Sequence, residues 1–369
     1  MKYQICKRCV MDNHSDDTIY FDNDGYCNYC NEALSKIGKV YLPTEEGAKK
    51  LEKLLDKIKL EGKGKKYDCL MGISGGLDSS YLAYLGYKWG LRILAVHVDD
   101  GYDTEITKEN LRKLSKATNI NIIYIVPDQE QYNDLIKAFL LAGVPNLAIP
   151  QDNILLAYLY KFAKQNKIKY FLSGGNFALE SILQKGNTYT SSDVVNIKDI
   201  HKKYGSKSID KLPLLSEFER DIDKYCYRFK SIRPLNYIEY NRERALKELH
   251  DFCDFQYYGA KHLENTLTKF IQTYYLPKKF SVDKRTSHLS SLIVSGQMTR
   301  EEAIEELKKP LYDEADMEKT IDYVLKCLSI SREDFNIIME QTPKQHDAYK
   351  TSLYINFKTI ARKIVYAVK

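Results

Sequence analysis

Between Tyr67 and Gly175, short apolar runs alternate with amphipathic stretches. YDCLMGIS (67–74), LRILAVHV (91–98), INIIYIV (120–126) and IKYFLSGG (168–175) are almost unbroken in apolar character and predict strands. Helical patterns separate them. One runs from about Asp78 to Trp89, one through ITKENLRKLSKAT, and one through DNILLAYLYKFAKQNK (152–167). Strands without polar alternation are covered on both faces, and strand–helix repetition makes neighbouring strands parallel. The pattern therefore predicts an α/β fold built on a doubly wound parallel sheet. In such sheets ligands collect beyond the carboxyl ends of the strands.

Outside this region the pattern changes. The first 30 residues are polar, lack clear periodicity and are bracketed by cysteine pairs. TEEGAKKLEKLLDKIKLEGKGKK (44–66) predicts a charged amphipathic helix with a Lys/Gly-rich end. From Tyr204 onward the chain is tyrosine-rich and helical, clearest in RPLNYIEYNRERALKELHDF and EEAIEELKKPLYDEADMEKTIDYVLKCL. Four regions follow: a cysteine module (1–40), a linker helix (41–66), an α/β sheet domain (67–205) and a mainly helical region (206–369).

Composition narrows the classes. At 44% hydrophobic residues the 369-residue chain can bury a large core. A net charge of +6 suits anionic small molecules and falls short of a dedicated nucleic-acid binder. No apolar run is long enough to cross a membrane and no signal peptide is apparent, so the expected location is the cytoplasm. Four of the eight cysteines form Cys6-x2-Cys9 and Cys27-x2-Cys30, separated by seventeen residues. That spacing predicts a closed, structural zinc site of the ribbon type, with a redox pair or disulfides as alternatives.

Chemistry concentrates at the predicted strand ends. SGGLDSS (74–80) follows the first strand and opens a helix. Gly75 and Gly76 allow a phosphate close to the backbone, helix amides point outward, and Ser74, Ser79 and Ser80 add hydroxyls. Asp78 is either a helix cap or a magnesium ligand. A capped turn is the plain alternative, and the loop lacks the lysine of a Walker A motif. HVDDGYD places Asp99, Asp100 and Gly101 at the second strand end, SGGN places Gly175 and Asn176 at the later one, and Asp152 precedes or caps a helix. Further on, Lys261, His262, Lys278, Lys279, Lys284, Arg285 and His288 are interleaved with aromatic residues, beside Glu264, Asn265 and Gln272. Dense basic groups suggest an anionic ligand; a solvated face is the alternative.

SGGLDSS resembles the pyrophosphate loop of the PP-loop ATP pyrophosphatases, a superfamily with a HUP-type doubly wound sheet. Together, the four-cysteine start, this loop and YGAKHLEN…YYLPKKF…DKR…H resemble the N-acetyl sugar amidotransferase family of lipopolysaccharide and pseudaminic or legionaminic acid biosynthesis. The resemblance implies ATP, Mg2+ and structural zinc as cofactors. It implies conversion of an acetamido group into an acetamidino group through an adenylated imidate. It assigns Ser74, Gly75, Gly76, Leu77, Asp78, Ser79, Ser80, Asp100, Gly175 and Asn176 to the nucleotide. Asp78, Lys261, His262 and Arg285 become the expected catalytic set, with Lys284 and His288 beside the sugar nucleotide. The chain departs from the family at Ser281, where relatives carry glycine. It contains no credible glutaminase, so ammonia is expected from a separate glutaminase, through a channel-forming synthase subunit. A membrane or nucleic-acid partner is not expected, and a homo-oligomer is compatible with the reading. The competing reading is a PP-loop enzyme that thiolates or amidates a tRNA base; a third is a zinc-ribbon binding protein with a vestigial nucleotide fold.

Overall fold

Five parallel strands form one sheet in a computed structural model that describes residues 2–259 and 263–367. The cysteine module contains α1 (Asn28–Leu34) and leads into α2 (Glu45–Gly62). The sheet region runs β1 (Cys69–Gly72), α3 (Leu77–Lys88), β2 (Ile93–Val98), α4 (Glu105–Thr118), β3 (Asn121–Ile125), α5 (Gln129–Ala142), α6 (Ile149–Gln165) and β4 (Tyr170–Leu172). It continues through α7 (Phe177–Glu180), α8 (Val194–Tyr204), α9 (Glu217–Cys226) and β5 (Lys230–Ile232). Helices follow: α10 (Arg242–Cys253), α11 (Thr266–Phe270), α12 (Leu276–Phe280), α13 (Lys284–Val294), α14 (Arg300–Lys308), α15 (Glu314–Leu328), α16 (Arg332–Glu340) and α17 (Leu353–Ala367).

The spatial order is β3-β2-β1-β4-β5. The chain starts at the centre, winds outward to β3, then crosses back to place β4 on the other side of β1. The direction of winding therefore reverses between β1 and β4, where adjacent connections diverge and leave a crevice. Met71 pairs with Ala95 on one side and Leu172 on the other.

Side-chain alternation explains the unbroken apolar runs. Leu70, Leu94 and Val96 pack with Leu159 and Ala163 of α6 on one face. Cys69, Met71, Ile93 and Ala95 face the opposite way, against Leu82 of α3 and Leu111 of α4. Both faces are covered, so every position on β1 and β2 favours an apolar side chain. The doubly wound α/β class, with its four-cysteine module and helical C-terminal region, is the one the sequence predicts. A separate apolar core joins α5 and α6 to α8, α11, α12, α15 and α16. No helix among the described residues is long and apolar enough to cross a membrane.

Among the elements that escape the sequence pattern, β5 and α5 do so for clear physical reasons. The β5 strand is three residues long, Lys-Ser-Ile, and lies at the sheet edge with its first two residues exposed, so it carries no apolar run. It also brings the region beyond residue 205 into the sheet. The α5 helix is buried on nearly all sides, including Gln131 and Asp134, so it lacks a clear polar stripe. Ser281 caps α12 with a φ of 56°, a left-handed conformation that glycine adopts without strain. The expected glycine and the observed serine therefore occupy the same turn.

Candidate functional site

The loop after β1 carries out the geometry that its composition suggests. Gly76 is the N-cap of α3 and supplies no capping side chain, which leaves the first helix amides to external acceptors. Gly75 has a φ of +76°, and a Cβ there would stand 2.6 Å from Thr107 Cγ2. A Cβ on Gly76 would meet Glu264 Oε1 at 2.6 Å. Loop hydroxyls answer loop amides: Ser74 N–H donates to Ser79 Oγ and Gly76 N–H to Ser74 Oγ, both at 3.2 Å. Asp78 accepts the Tyr240 hydroxyl at 2.5 Å, a bond made across 162 residues of sequence.

This loop forms part of the wall of a cavity of about 910 Å3 at the switch point between β1 and β4. Gly174 and Gly175 supply the facing turn, and a Cβ on Gly174 would lie 3.1 Å from Ser79 N. Leu155, Leu156 and Phe171 give the sheet side an apolar lining, while Arg242, Tyr257, Glu264, Gln272 and His288 line the other side.

Of the residues assigned to the nucleotide by resemblance, Ser74, Gly76, Leu77, Asp78, Ser79 and Gly175 lie on the cavity wall. Gly75, Ser80, Asp100 and Asn176 do not. Gly75 turns the backbone instead. Ser80 points into the interior, wholly buried with an unpartnered Oγ, because position N4 of α3 faces the core. Asp100 lies below the wall. It accepts from Tyr102 N, Tyr132 OH, Gln151 Nε2 and Asn265 Nδ2, and burial together with the Asp103 charge pushes its carboxyl up to about 6. Asn176 caps α7 through Leu179 N and donates to Gly174 O, so it shapes the glycine turn.

The basic residues divide in the same way. Arg285 touches the cavity, yet its guanidinium is held by Asp283 and by the carbonyls of Glu306, Leu307 and Lys309. Five N–H groups are thereby engaged in tying α13 to the end of α14, so its geometry is that of a positioning group. Lys279 closes the end of α16 through Ile338 O and Gln341 O, each at 2.6 Å. Lys284 lies off the cavity, where burial lowers its pKa and nearby Asp16 opposes the fall. His288 and Asp152 are on the wall. Lys261 and His262 lie outside the described residues.

A pair that motif reading passed over sits beside the loop. His97 Nδ1 is 2.8 Å from Ile73 O, and Nε2 is 2.8 Å from Asp103 Oδ2. A carbonyl and a carboxylate both accept, so the imidazolium form satisfies both contacts. Burial opposes that charge, but the Asp103 hydrogen bond and charge outweigh it and hold His97 above its ordinary value. The signal was present in HVDDGYD, whose first and last residues form this pair.

Cys6, Cys9, Cys27 and Cys30 are buried, with all four Sγ atoms within 4.8 Å of one another. Cys6–Cys30 and Cys9–Cys27 separations are 3.7 and 3.5 Å. Zinc–sulfur bonds of about 2.3 Å in a tetrahedron require sulfurs about 3.8 Å apart, so the donor set fits zinc. Backbone N–H groups of Arg8, Cys9 and Cys27 point at Cys6 Sγ, which suits a thiolate. Four protein sulfurs would fill the tetrahedral coordination sphere of such an ion. The module is bonded to α13 and α14: Val10 N donates to Ser290 Oγ, and Arg300 holds the carbonyls of Cys6 and Cys9.

Comparison with known proteins adds a second line of observation. Residues 264–362 match the family described as LPS biosynthesis protein WbpG-like, C-terminal domain. An uncharacterised protein of Methanocaldococcus jannaschii is 25% identical over 267 residues, 66% of this chain and 92% of that protein. The glutamine-hydrolysing GMP synthase of Pyrobaculum aerophilum is 32% identical over 93 residues, 25% of this chain but 17% of that enzyme. Among solved structures, the U34-tRNA thiolase NcsA from Methanococcus maripaludis with its [4Fe-4S] cluster aligns with a TM-score of 0.33 at 15% identity, covering 80% of this chain and 88% of that one. The chain thus joins a doubly wound sheet bearing an SGGLDSS loop to a segment similar to the C-terminal domain of WbpG-like LPS biosynthesis proteins.

Proposed function

We propose that the protein uses ATP to convert the acetamido group of an N-acetylated sugar into an acetamidino group. The observation that carries this reading is the shared cavity: the glycine–hydroxyl loop forms one wall, and the segment similar to WbpG-like proteins supplies part of the other. The acetamido oxygen attacks the α-phosphorus of ATP and pyrophosphate leaves. Ammonia then adds to the imidate carbon, and AMP departs carrying the original oxygen. Amides and hydroxyls of residues 74–79 neutralise charge on the leaving pyrophosphate, where preorganised donors act most strongly. Asp78, which accepts the Tyr240 hydroxyl, is the carboxylate that would hold Mg2+, and the ion would screen the phosphate charge. His97 and Asp103 brace the carbonyl end of β1 through Ile73.

Ammonia comes from a separate glutaminase partner. The test is mass spectrometry of a panel of N-acetyl sugar nucleotides incubated with protein, ATP, Mg2+ and ammonium. Replacement of oxygen by NH lowers the mass by one unit, accompanied by AMP and pyrophosphate. Glutamine-dependent turnover by the purified chain, or pyrophosphate release independent of every sugar tested, refutes the reading.

A further inference from the structure

One donor of the loop is answered from outside it. Leu77 N–H, the first helical amide of α3, donates to the Tyr258 hydroxyl at 3.0 Å across 181 residues of sequence. Tyr258 lies on the cavity wall. Burial, together with the charges of Glu264 and Asp78, holds its hydroxyl well above the usual tyrosine range, so it stays a neutral phenol. Ser74, Gly76 and Leu77 amides therefore all terminate on hydroxyl oxygens, and the first two of those oxygens belong to the loop itself.

We propose that the Tyr258 hydroxyl competes with a pyrophosphate oxygen for one donor: it accepts the Leu77 amide and must yield that amide when the nucleotide binds. This rests on the ATP reading above. An orphaned helix N-terminal amide in a low-dielectric cavity is costly, and a neutral phenol oxygen satisfies it without adding charge. A phosphate oxygen carries charge, makes the stronger bond to the same donor, and displaces the phenol. Tyr258 thereby sets the affinity of the loop for pyrophosphate and ATP from the segment that follows α10.

The test uses Tyr258→Phe in the full chain, which keeps the ring and removes the oxygen. Inorganic pyrophosphate with Mg2+ is titrated calorimetrically into both proteins. The variant should bind more tightly by about threefold to tenfold, the worth of one neutral hydrogen bond no longer broken on binding. Without ligand, hydrogen exchange at the Leu77 amide should be faster in the variant, and pyrophosphate should slow it. In the wild type, the ring-carbon NMR line of labelled Tyr258 should move on pyrophosphate addition, a readout independent of the variant's folding. Equal or weaker binding by a folded variant, or an unmoved Tyr258 line while pyrophosphate binds, overturns this inference and leaves the ATP reading intact. If the wild type binds neither pyrophosphate nor ATP, both fall together.

Discussion

The adjacent glycines of the loop separate stability from ligand binding. Gly75 has a φ of +76°, and its Cβ would stand 2.6 Å from Thr107 Cγ2, 3.1 Å from Thr107 O and 3.2 Å from Leu111 Cγ. Gly75→Ala therefore adds left-handed strain, about 1–2 kcal/mol, to overpacking against α4, about 1–3 kcal/mol. The expected destabilisation is about 2–5 kcal/mol in urea unfolding followed by circular dichroism. Gly76 has an ordinary extended conformation, with φ −73° and ψ 164°. Its added methyl would meet the Glu264 carboxylate at 2.6 Å on the cavity wall rather than the fold's core. Gly76→Ala should change stability by less than about 1.5 kcal/mol, because a side-chain end can shift. It should nevertheless weaken pyrophosphate binding at least tenfold, by filling the space where phosphate approaches the backbone. Comparable stability loss in both variants, or unimpaired pyrophosphate binding by Gly76→Ala, would refute the separation.

Other outcomes follow from the buried charges and the cysteine module. Asp100 has a raised carboxyl pKa, so its contribution to stability is full below the ordinary aspartate value and is lost as pH rises through about 6. Asp100→Asn should flatten that part of the stability–pH curve; an unchanged slope between pH 4 and 6 would show that Asp100 does not carry it. His97 is likewise raised, so its stabilising effect is present below the ordinary histidine value and fades as pH climbs above it. Asp103→Asn should shift the His97 ring resonances to titrate at lower pH in NMR, and no shift would remove Asp103 as the cause. With zinc held by the four cysteines, its removal should loosen α13, because Val10 bonds the module to Ser290 of that helix and Arg300 bonds it to the adjoining α14. Exchange protection in 284–294 should fall with chelator while β1 stays protected; equal loss in both would mean general unfolding.

Much of this protein was legible locally. SGGLDSS could be read because strand, turn and helix amides are consecutive in the chain, and their geometry follows from short-range backbone rules. The cysteine pairs were legible because two tight knuckles prescribe a tetrahedral set once they meet. Near-continuous apolar strands revealed coverage on both faces, and hence the doubly wound class. The β5 strand was not legible, since an exposed three-residue edge needs no apolar pattern.

Residue roles at the site depended on contacts between distant segments. Arg285 looked like a ligand for an anion by composition, yet α14 presents carbonyls that engage its guanidinium. Asp100 looked like a nucleotide contact, yet Tyr132, Gln151 and Asn265 converge on it beneath the wall. Tyr240 and Tyr258 reach Asp78 and Leu77 only because the C-terminal helices pack over the switch point. A local motif prescribes the donors that a loop can offer. Which groups answer those donors depends on packing across more than 150 residues, where the free energy of burying each polar group is settled by its neighbours in space.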